Sequence, residues 1–164
     1  LKRNRIRLEA KGTLSRLPRR VRAELDRVLA YTADPNPRMT MTLCLSYGGR
    51  QEIVDAAKTL AAEVAAGKLP LAAIDEKRFA AALYQPNVSD PDLLIRTGGE
   101  YRISNFLLWQ AAYAEIFTSP VLWPDFDANA LDEALRAFAN RERRFGRTGA
   151  QVRPVEPVLP GGSA

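Results

Sequence analysis

Short apolar runs bounded by turn residues alternate along this chain with longer segments in which apolar residues recur every three or four positions, and that alternation restricts the fold more than any other feature. Strand, helix and strand in succession pack most simply as parallel strands with the helix crossing over a sheet face. Arg5 to Ala10 (RIRLEA) alternates and meets Lys11-Gly12, which reads as a strand and turn. Pro18 opens a helix to about Tyr31, with Val21, Leu25, Val28 and Leu29 on its inner face and Arg19, Arg20 and Arg27 outside. DPNP, Asp34 to Pro37, ends it. Met39 to Ser46 (MTMTLCLS) reads as a strand covered on both faces. From Gln51 a helix presents Ile53, Ala57, Leu60 and Val64 on one face and stops at Gly67. A shorter helix follows Asp75 and buries Phe79 and Leu83. Leu93 to Ile95 reads as a strand, Phe106 to about Phe117 as a helix, and Val121 to Trp123 as another strand closed by Pro124. Asp127 caps a last helix whose stripe of Leu131, Leu135 and Phe138 is expected to be buried, up to Gly146. The expected fold is therefore α/β, a mostly parallel sheet with helices on both faces. Residues 1–146 read as part of one domain, and 147–164, with Pro154, Pro157, Pro160 and a glycine pair, as a disordered tail.

Composition narrows the function classes. A chain of 164 residues that is 46% hydrophobic can bury one sizeable core. It begins with Leu1 rather than Met, so it is expected to be a piece of a longer protein. The lone Cys44 cannot form an internal disulfide, which suits a reducing cytoplasm. No run approaches the roughly 20 apolar residues of a membrane span, and no signal peptide is visible. Residues 1–27 carry ten Lys/Arg against three Asp/Glu, while the remainder carries fourteen against sixteen. Such a basic face meets nucleic acid, anionic lipid or a phosphorylated small molecule, or is simply solvated. With no recognisable motif or aromatic stacking surface, a nucleic-acid partner is not expected. The absence of histidine excludes His-based catalysis and most zinc sites within the chain, and no G-x-x-x-x-G-K-[ST] loop supports ATP hydrolysis.

Two glycine-containing loops directly follow expected strands: YGGR, Tyr47 to Arg50, and RTGG, Arg96 to Gly99. In parallel α/β folds ligands lie beyond the carboxyl ends of strands. The stretch RTGGEYRISN carries most of the anion-binding chemistry. Arg96 and Arg102 offer forked donors that match phosphate oxygens. Gly98 and Gly99 permit close approach of the backbone, and Ser104 or Asn105 sits where a helix is expected to begin, with its free N–H groups and positive dipole end. Together these suit a diphosphate; alternatively Ser104 merely caps and the arginines pair with Glu100 or Asp92. Glu115, eleven residues beyond Ser104, is expected about three helical turns along. A carboxylate beside a diphosphate usually means Mg²⁺, although an isolated helical glutamate is more often a surface residue.

DLLIRTGGEYRISNFLLWQAAYAEIFTSPVLWPDFD, Asp92 to Asp127, resembles the signature of the cis-prenyltransferases, the undecaprenyl diphosphate synthase family; YGGRQEIVDAA before it and ANRERRFG after it match as well. The resemblance implies an enzyme that condenses isopentenyl diphosphate onto an allylic diphosphate such as farnesyl diphosphate, making cis double bonds with Mg²⁺ as cofactor and supplying a cell-wall lipid carrier. It implies that Arg96, Arg102, the backbone of Ile103 and Ser104 grip isopentenyl diphosphate, that Glu115 ligates Mg²⁺, and that Arg144 and Gly146 reach across a homodimer interface towards the partner's substrate. The segments from Asn105 and VLWPDFD would contribute to that interface. Met39, Met41 and Leu43 would line a product tunnel, with Met39 nearest its closed end, so that Met39→Ala lengthens the product; ordinary core packing would use these residues equally well. A cytoplasmic enzyme at the inner face of the membrane follows, touching the bilayer through its lipid product. Two departures stand out. The family's N-terminal third, with an MDGNGRWA-like loop that binds the allylic diphosphate and carries the essential aspartate, has no counterpart here, so this segment alone is expected to be inactive. Tyr101 stands where some members have histidine. The competing reading is a non-catalytic accessory subunit of a heteromeric cis-prenyltransferase.

Overall fold

The computed structural model describes residues 1–84 and 88–141. Arg144, Gly146, the end of the expected last helix and the tail lie outside the described residues. The elements are β1 (Ile6–Lys11), α1 (Arg19–Thr32), β2 (Met39–Cys44), α2 (Gly49–Ala65), α3 (Glu76–Ala80), β3 (Leu93–Arg96), β4 (Glu115–Thr118) and α4 (Ala128–Ala139), with short 3₁₀ turns between them. Both strand pairs are parallel, as the strand–helix alternation requires. The described strands form two two-stranded sheets, β1-β2 and β3-β4, where one sheet was expected. Periodicity reveals that a strand exists, but not which strand it will pair with.

The chain divides into two compact units. The first takes Leu1–Asp90 and Arg102–Ala112, and the second takes Pro91–Tyr101 and the chain from Tyr113. In the first, β1 and β2 are in register Ile6↔Met39, Leu8↔Met41 and Ala10↔Leu43. These residues share one sheet face, since side chains alternate along each strand. Leu8 is buried there, and the Leu8 N–H donates to Thr32 Oγ1 at 3.2 Å, fixing the end of α1 against β1. Helix α1 ends at Thr32, before DPNP as expected, and Asp34 Oδ1 accepts from the Asn36 N–H at 2.8 Å in the turn that leads to β2. An apolar groove of about 520 Å³ runs between this face and α1, lined by Leu8, Val21, Leu25, Val28 and Leu43, with Arg20 and Glu24 also on its wall.

Helix α2 starts two residues before the expected Gln51 and is followed by Gly67 in a left-handed conformation. Its buried positions are Gly49, Glu52, Ala56 and Leu60; the face read as Ile53, Ala57, Leu60 and Val64 is rotated by about one residue. Ala57, Leu60, Val64 and Phe79 instead border a second apolar cavity of about 420 Å³. Asp75 caps α3 through the Arg78 N–H at 2.7 Å, and Leu83 is buried as expected.

In the second unit β3 and β4 pair in register Leu93↔Glu115 through Arg96↔Thr118. Asp127 caps α4 by accepting from the Asn129 and Ala130 N–H groups, both at 3.0 Å; those bonds, that to Ala130 first, hold its carboxyl below the usual range. The expected buried stripe of α4 is not observed: Ala134 is fully buried, whereas Leu131 and Leu135 are exposed. Val121 to Trp123 is not a strand, because Gly98 and Gly99 donate to the carbonyls of Val121 and Ser119 and hold that segment as a turn. Among the described residues no helix is long and apolar enough to cross a membrane.

Candidate functional site

The expected helix from Phe106 to Phe117 is absent. Ser104, Asn105 and Leu107 have φ of 51°, 62° and 47°, and such left-handed residues cannot propagate a right-handed helix. The segment runs through turns to a 3₁₀ turn at Gln110–Tyr113 and then to β4, so Glu115 is the first residue of a strand rather than a residue three helical turns beyond Ser104.

The helix start in this region belongs to α2. Its N-cap, Gly48, has no side chain, and Asn105 supplies the cap from elsewhere in the chain. The Asn105 carbonyl accepts from the Gly49 N–H at 2.7 Å and its Oδ1 from the Arg50 N–H at 2.9 Å. Asparagine is suited to this task because it tolerates the left-handed backbone and carries an acceptor on a short arm. The approach is close. A Cβ on Gly49 would lie 2.8 Å from Leu108 Cγ and 3.0 Å from Leu108 N. YGGR and RISN, 55 residues apart between Arg50 and Asn105, are thus neighbours within the first unit. A polar cavity of about 340 Å³ adjoins them, lined by Thr13, Arg16, Ser46, Tyr47, Gly48, Gln51 and Asn105, none of them acidic.

Behind this surface Glu52 is 2% exposed. Its Oε1 accepts from the Tyr84 N–H at 2.9 Å and from Gln110 Nε2 at 3.1 Å, and its Oε2 from the Tyr47 hydroxyl. The Tyr47 hydroxyl in turn receives a hydrogen bond from the Leu107 backbone. Burial first, and then the Glu52 carboxylate, push the Tyr47 phenol well above its ordinary range. Burial and the bond from its hydroxyl to Asp55 push the Tyr84 phenol up to about 12. The rings of Tyr47 and Phe106 meet edge to face with centroids 5.6 Å apart, and Phe79 packs on Trp109 at 4.6 Å. Sequence reasoning missed both Asn105 as the cap of α2 and Glu52. A signal existed for the latter: positions 52, 56 and 60 share one helix face at i, i+4 spacing, but a charged residue is not ordinarily assigned to a core.

The expected diphosphate ligands fall in different units. Arg102, Ile103 and Ser104 belong to the first, and Arg96, at the end of β3, to the second. Gly98 and Gly99 have φ of 72° and 68°. Their N–H groups donate to Val121 O at 2.8 Å and Ser119 O at 2.9 Å, so these glycines shape a left-handed turn. Glu115, also in the second unit, pairs with Arg141 Nη1 at 2.8 Å, and Arg141 bonds the Ile116 carbonyl as well. Among the described residues no cluster of three acidic, cysteine or histidine side chains could cage a metal. Mg²⁺ is commonly held by only one or two carboxylates together with substrate phosphates, so a single half-exposed carboxylate such as Glu115 fits it. Of the expected tunnel residues, Leu43 lines the groove against α1, Met41 lies beside Leu8, and Met39, at the far end of β2, is 53% exposed.

Comparison with known proteins agrees with this fold. The sequence profile of a family described as "Putative undecaprenyl diphosphate synthase" matches residues 1–146. An isoprenyl transferase of Chlorobaculum tepidum is 50% identical over 153 residues, covering 93% of this chain and 57% of that protein. A ditrans,polycis-undecaprenyl-diphosphate synthase, (2E,6E)-farnesyl-diphosphate specific, of Vibrio cholerae is 46% identical, covering 94% and 62%. Among solved structures, lavandulyl diphosphate synthase from Lavandula x intermedia in complex with dimethylallyl diphosphate superposes with a TM-score of 0.82 at 39% identity, covering 87% of this chain and 61% of that one. The chain thus spans a little over half the length of the curated relatives it matches.

Proposed function

This chain belongs to the undecaprenyl diphosphate synthase family of cis-prenyltransferases, and from that premise we propose that it carries the isopentenyl-diphosphate part of a polyprenyl diphosphate synthase. The whole protein adds isopentenyl diphosphate to an allylic diphosphate such as farnesyl diphosphate, extending the chain with cis geometry. Arg102, Ser104 and the Ile103 backbone hold the diphosphate of isopentenyl diphosphate, and Arg96 is assigned to the same substrate on the family resemblance alone. The observation that carries this reading is the acid-free, donor-lined cavity at the start of α2, whose wall includes Asn105, the residue next to Ser104. Helix starts and guanidinium groups favour anions for the same electrostatic reason.

Glu115 holds Mg²⁺, which when bound neutralises charge on the departing diphosphate. The protein's own cations do the remainder by fixing the phosphate oxygens and so orienting the reacting carbon. The apolar groove between α1 and the β1-β2 face, with Leu43 in its wall, suits a growing hydrocarbon. Leu122, Trp123, Ile116, Leu131 and Leu135 are all exposed in the second unit. An apolar set of that kind marks an interface, and here it supports a homodimer to which Arg144 and Gly146 contribute. The test is Mg²⁺-dependent incorporation of isopentenyl diphosphate onto farnesyl diphosphate by the full-length protein. Loss of one charged hydrogen bond, about 1.5–3 kcal/mol, should raise the isopentenyl diphosphate KM tenfold or more in Arg96→Ala and in Arg102→Ala. Wild-type kinetics in both variants would sink the assignment.

A further inference from the structure

We propose that Arg16, in the turn after β1, is a further diphosphate-binding residue and reaches the cavity at the start of α2. The inference rests on the reading of that cavity as part of the diphosphate site, and its ligand is the diphosphate group of a substrate.

Three segments of the first unit build the cavity wall: Thr13 and Arg16 after β1, Ser46 to Gly48 after β2, and Asn105 from the 102–112 loop. Backbone contacts fix the first two against each other. The Leu45 N–H donates to the Lys11 carbonyl at 2.9 Å and the Thr13 N–H to the Ser46 carbonyl at 3.2 Å, so the two strand exits are laced together. Between these bonds Gly12 has φ 114°, and a Cβ there would lie 2.2 Å from the Leu45 carbonyl oxygen. Only glycine fits that space, and its absence of side chain lets the turn after β1 lie close to β2. The 3₁₀ turn Leu14–Arg16 follows at once, with the Arg16 N–H on the Thr13 carbonyl at 3.0 Å. Arg16 is therefore placed beside the cavity by the backbone.

Charge decides what such a cavity can take. Among the described residues Arg16 is the one charged group in the lining. Neighbouring arginines have carboxylate partners: Arg5 pairs with Asp34 at 3.2 Å, Arg22 with Asp26 at 2.8 Å and Arg27 with Glu24 at 2.5 Å. Arg16 makes no ion pair and no side-chain hydrogen bond among the described residues, and it is exposed, so its five N–H donors are open to a ligand arriving from solvent. Around it stand the hydroxyls of Thr13 and Ser46 and the amide of Gln51. A guanidinium fork grips two phosphate oxygens at once. A diphosphate has oxygens enough for that fork and for the neutral donors beside it. Two diphosphates meet in the proposed reaction, and the same chemistry recognises either.

The experiment uses the full-length protein and measures kcat and the KM values for isopentenyl and farnesyl diphosphate. Inorganic pyrophosphate serves as a competitive probe at fixed free Mg²⁺, with thermal unfolding in parallel. Arg16→Gln should raise the KM of the diphosphate it holds about tenfold, the ratio equivalent to about 1.4 kcal/mol, and weaken pyrophosphate inhibition by a similar factor. Arg16→Lys keeps the charge without the fork and should give a smaller rise. Arg19→Gln removes an exposed arginine of α1 outside the cavity lining and should change neither quantity. With weakened pyrophosphate inhibition, a rise confined to isopentenyl diphosphate groups Arg16 with Arg102, a rise confined to farnesyl diphosphate assigns it to the allylic substrate, and a rise in both sets it between them; each supports the proposal. Unchanged KM values and pyrophosphate inhibition in Arg16→Gln overturn it, whatever happens to kcat or unfolding temperature. An equal response in Arg19→Gln also overturns it, because the effect would then belong to the general field of a basic surface. Arg102→Ala separates the two levels. If it raises the isopentenyl diphosphate KM while Arg16→Gln changes nothing, only the role of Arg16 fails; if neither variant moves a KM or pyrophosphate inhibition, the diphosphate reading of the cavity fails with it.

Discussion

Replacing Asn105 tests whether the start of α2 is capped from the 102–112 loop. Two separable contributions are at stake. The side-chain Oδ1 accepts from the Arg50 N–H at 2.9 Å, and an N-terminal cap of this type is worth about 1 kcal/mol. The backbone sits at φ 62°, where an ordinary L-residue costs about 1–2 kcal/mol and glycine nothing. Asn105→Ala loses both and should destabilise by about 2–3 kcal/mol. Asn105→Gly loses only the cap, plus a smaller entropic term from its freer unfolded chain. With a urea m-value of about 2 kcal/mol/M, the alanine variant should unfold about 1–1.5 M earlier than wild type, and the glycine variant should fall between them. The assay is equilibrium urea unfolding of the full-length protein followed by circular dichroism. Two results would refute the reasoning. An alanine variant at least as stable as the glycine variant would remove the backbone argument, and a glycine variant equal to wild type would remove the cap.

Three further outcomes are expected. Tyr84, with its phenol pushed up to about 12, and Tyr47, raised further still, keep their protons longer in the folded state than in the unfolded one. The stability they confer is therefore complete below about pH 10, the ordinary tyrosine value, and is lost as pH rises through about 12; an ultraviolet phenolate titration should show both ionising late and together with alkaline unfolding, whereas their ionisation near the ordinary value in intact protein would contradict the network. Arg141→Ala removes the cation paired with Glu115 across a half-exposed bridge worth at most about 1 kcal/mol. The Mg²⁺ concentration for half-maximal activity should fall by up to about fivefold, and a rise would show that Arg141 aids the metal rather than competes with it. Leu43→Trp fills the groove against α1 and should shorten the longest product resolved by chromatography, while an unaltered product distribution would place the hydrocarbon elsewhere.

Much of the architecture was legible because it depends on local rules. Pro18 at the entry to α1, Asp75 and Asp127 as caps, and Gly67 as a left-handed stop each mark an element end by their own stereochemistry. The expected helix at Phe106 failed for an equally local reason that periodicity does not report. FLLWQAAY has helical spacing, but the left-handed residues before it and the pairing of β4 with β3 draw the chain into turns and a strand. The α4 stripe failed differently: Leu131 and Leu135 have the right spacing, yet no described element covers them.

By itself, then, the sequence determined the parallel α/β character, most element ends and the chemistry on offer, because backbone propensity, turn stereochemistry and charge act over a few residues. Only the tertiary structure decided which groups meet. That Asn105 caps a helix begun 56 residues earlier at Gly49, and that Glu52 is buried among Tyr47, Tyr84 and Gln110, are consequences of chain segments packing from far apart. The free energy of burying a charge depends on where its donors end up, and residue spacing along the chain does not contain that information.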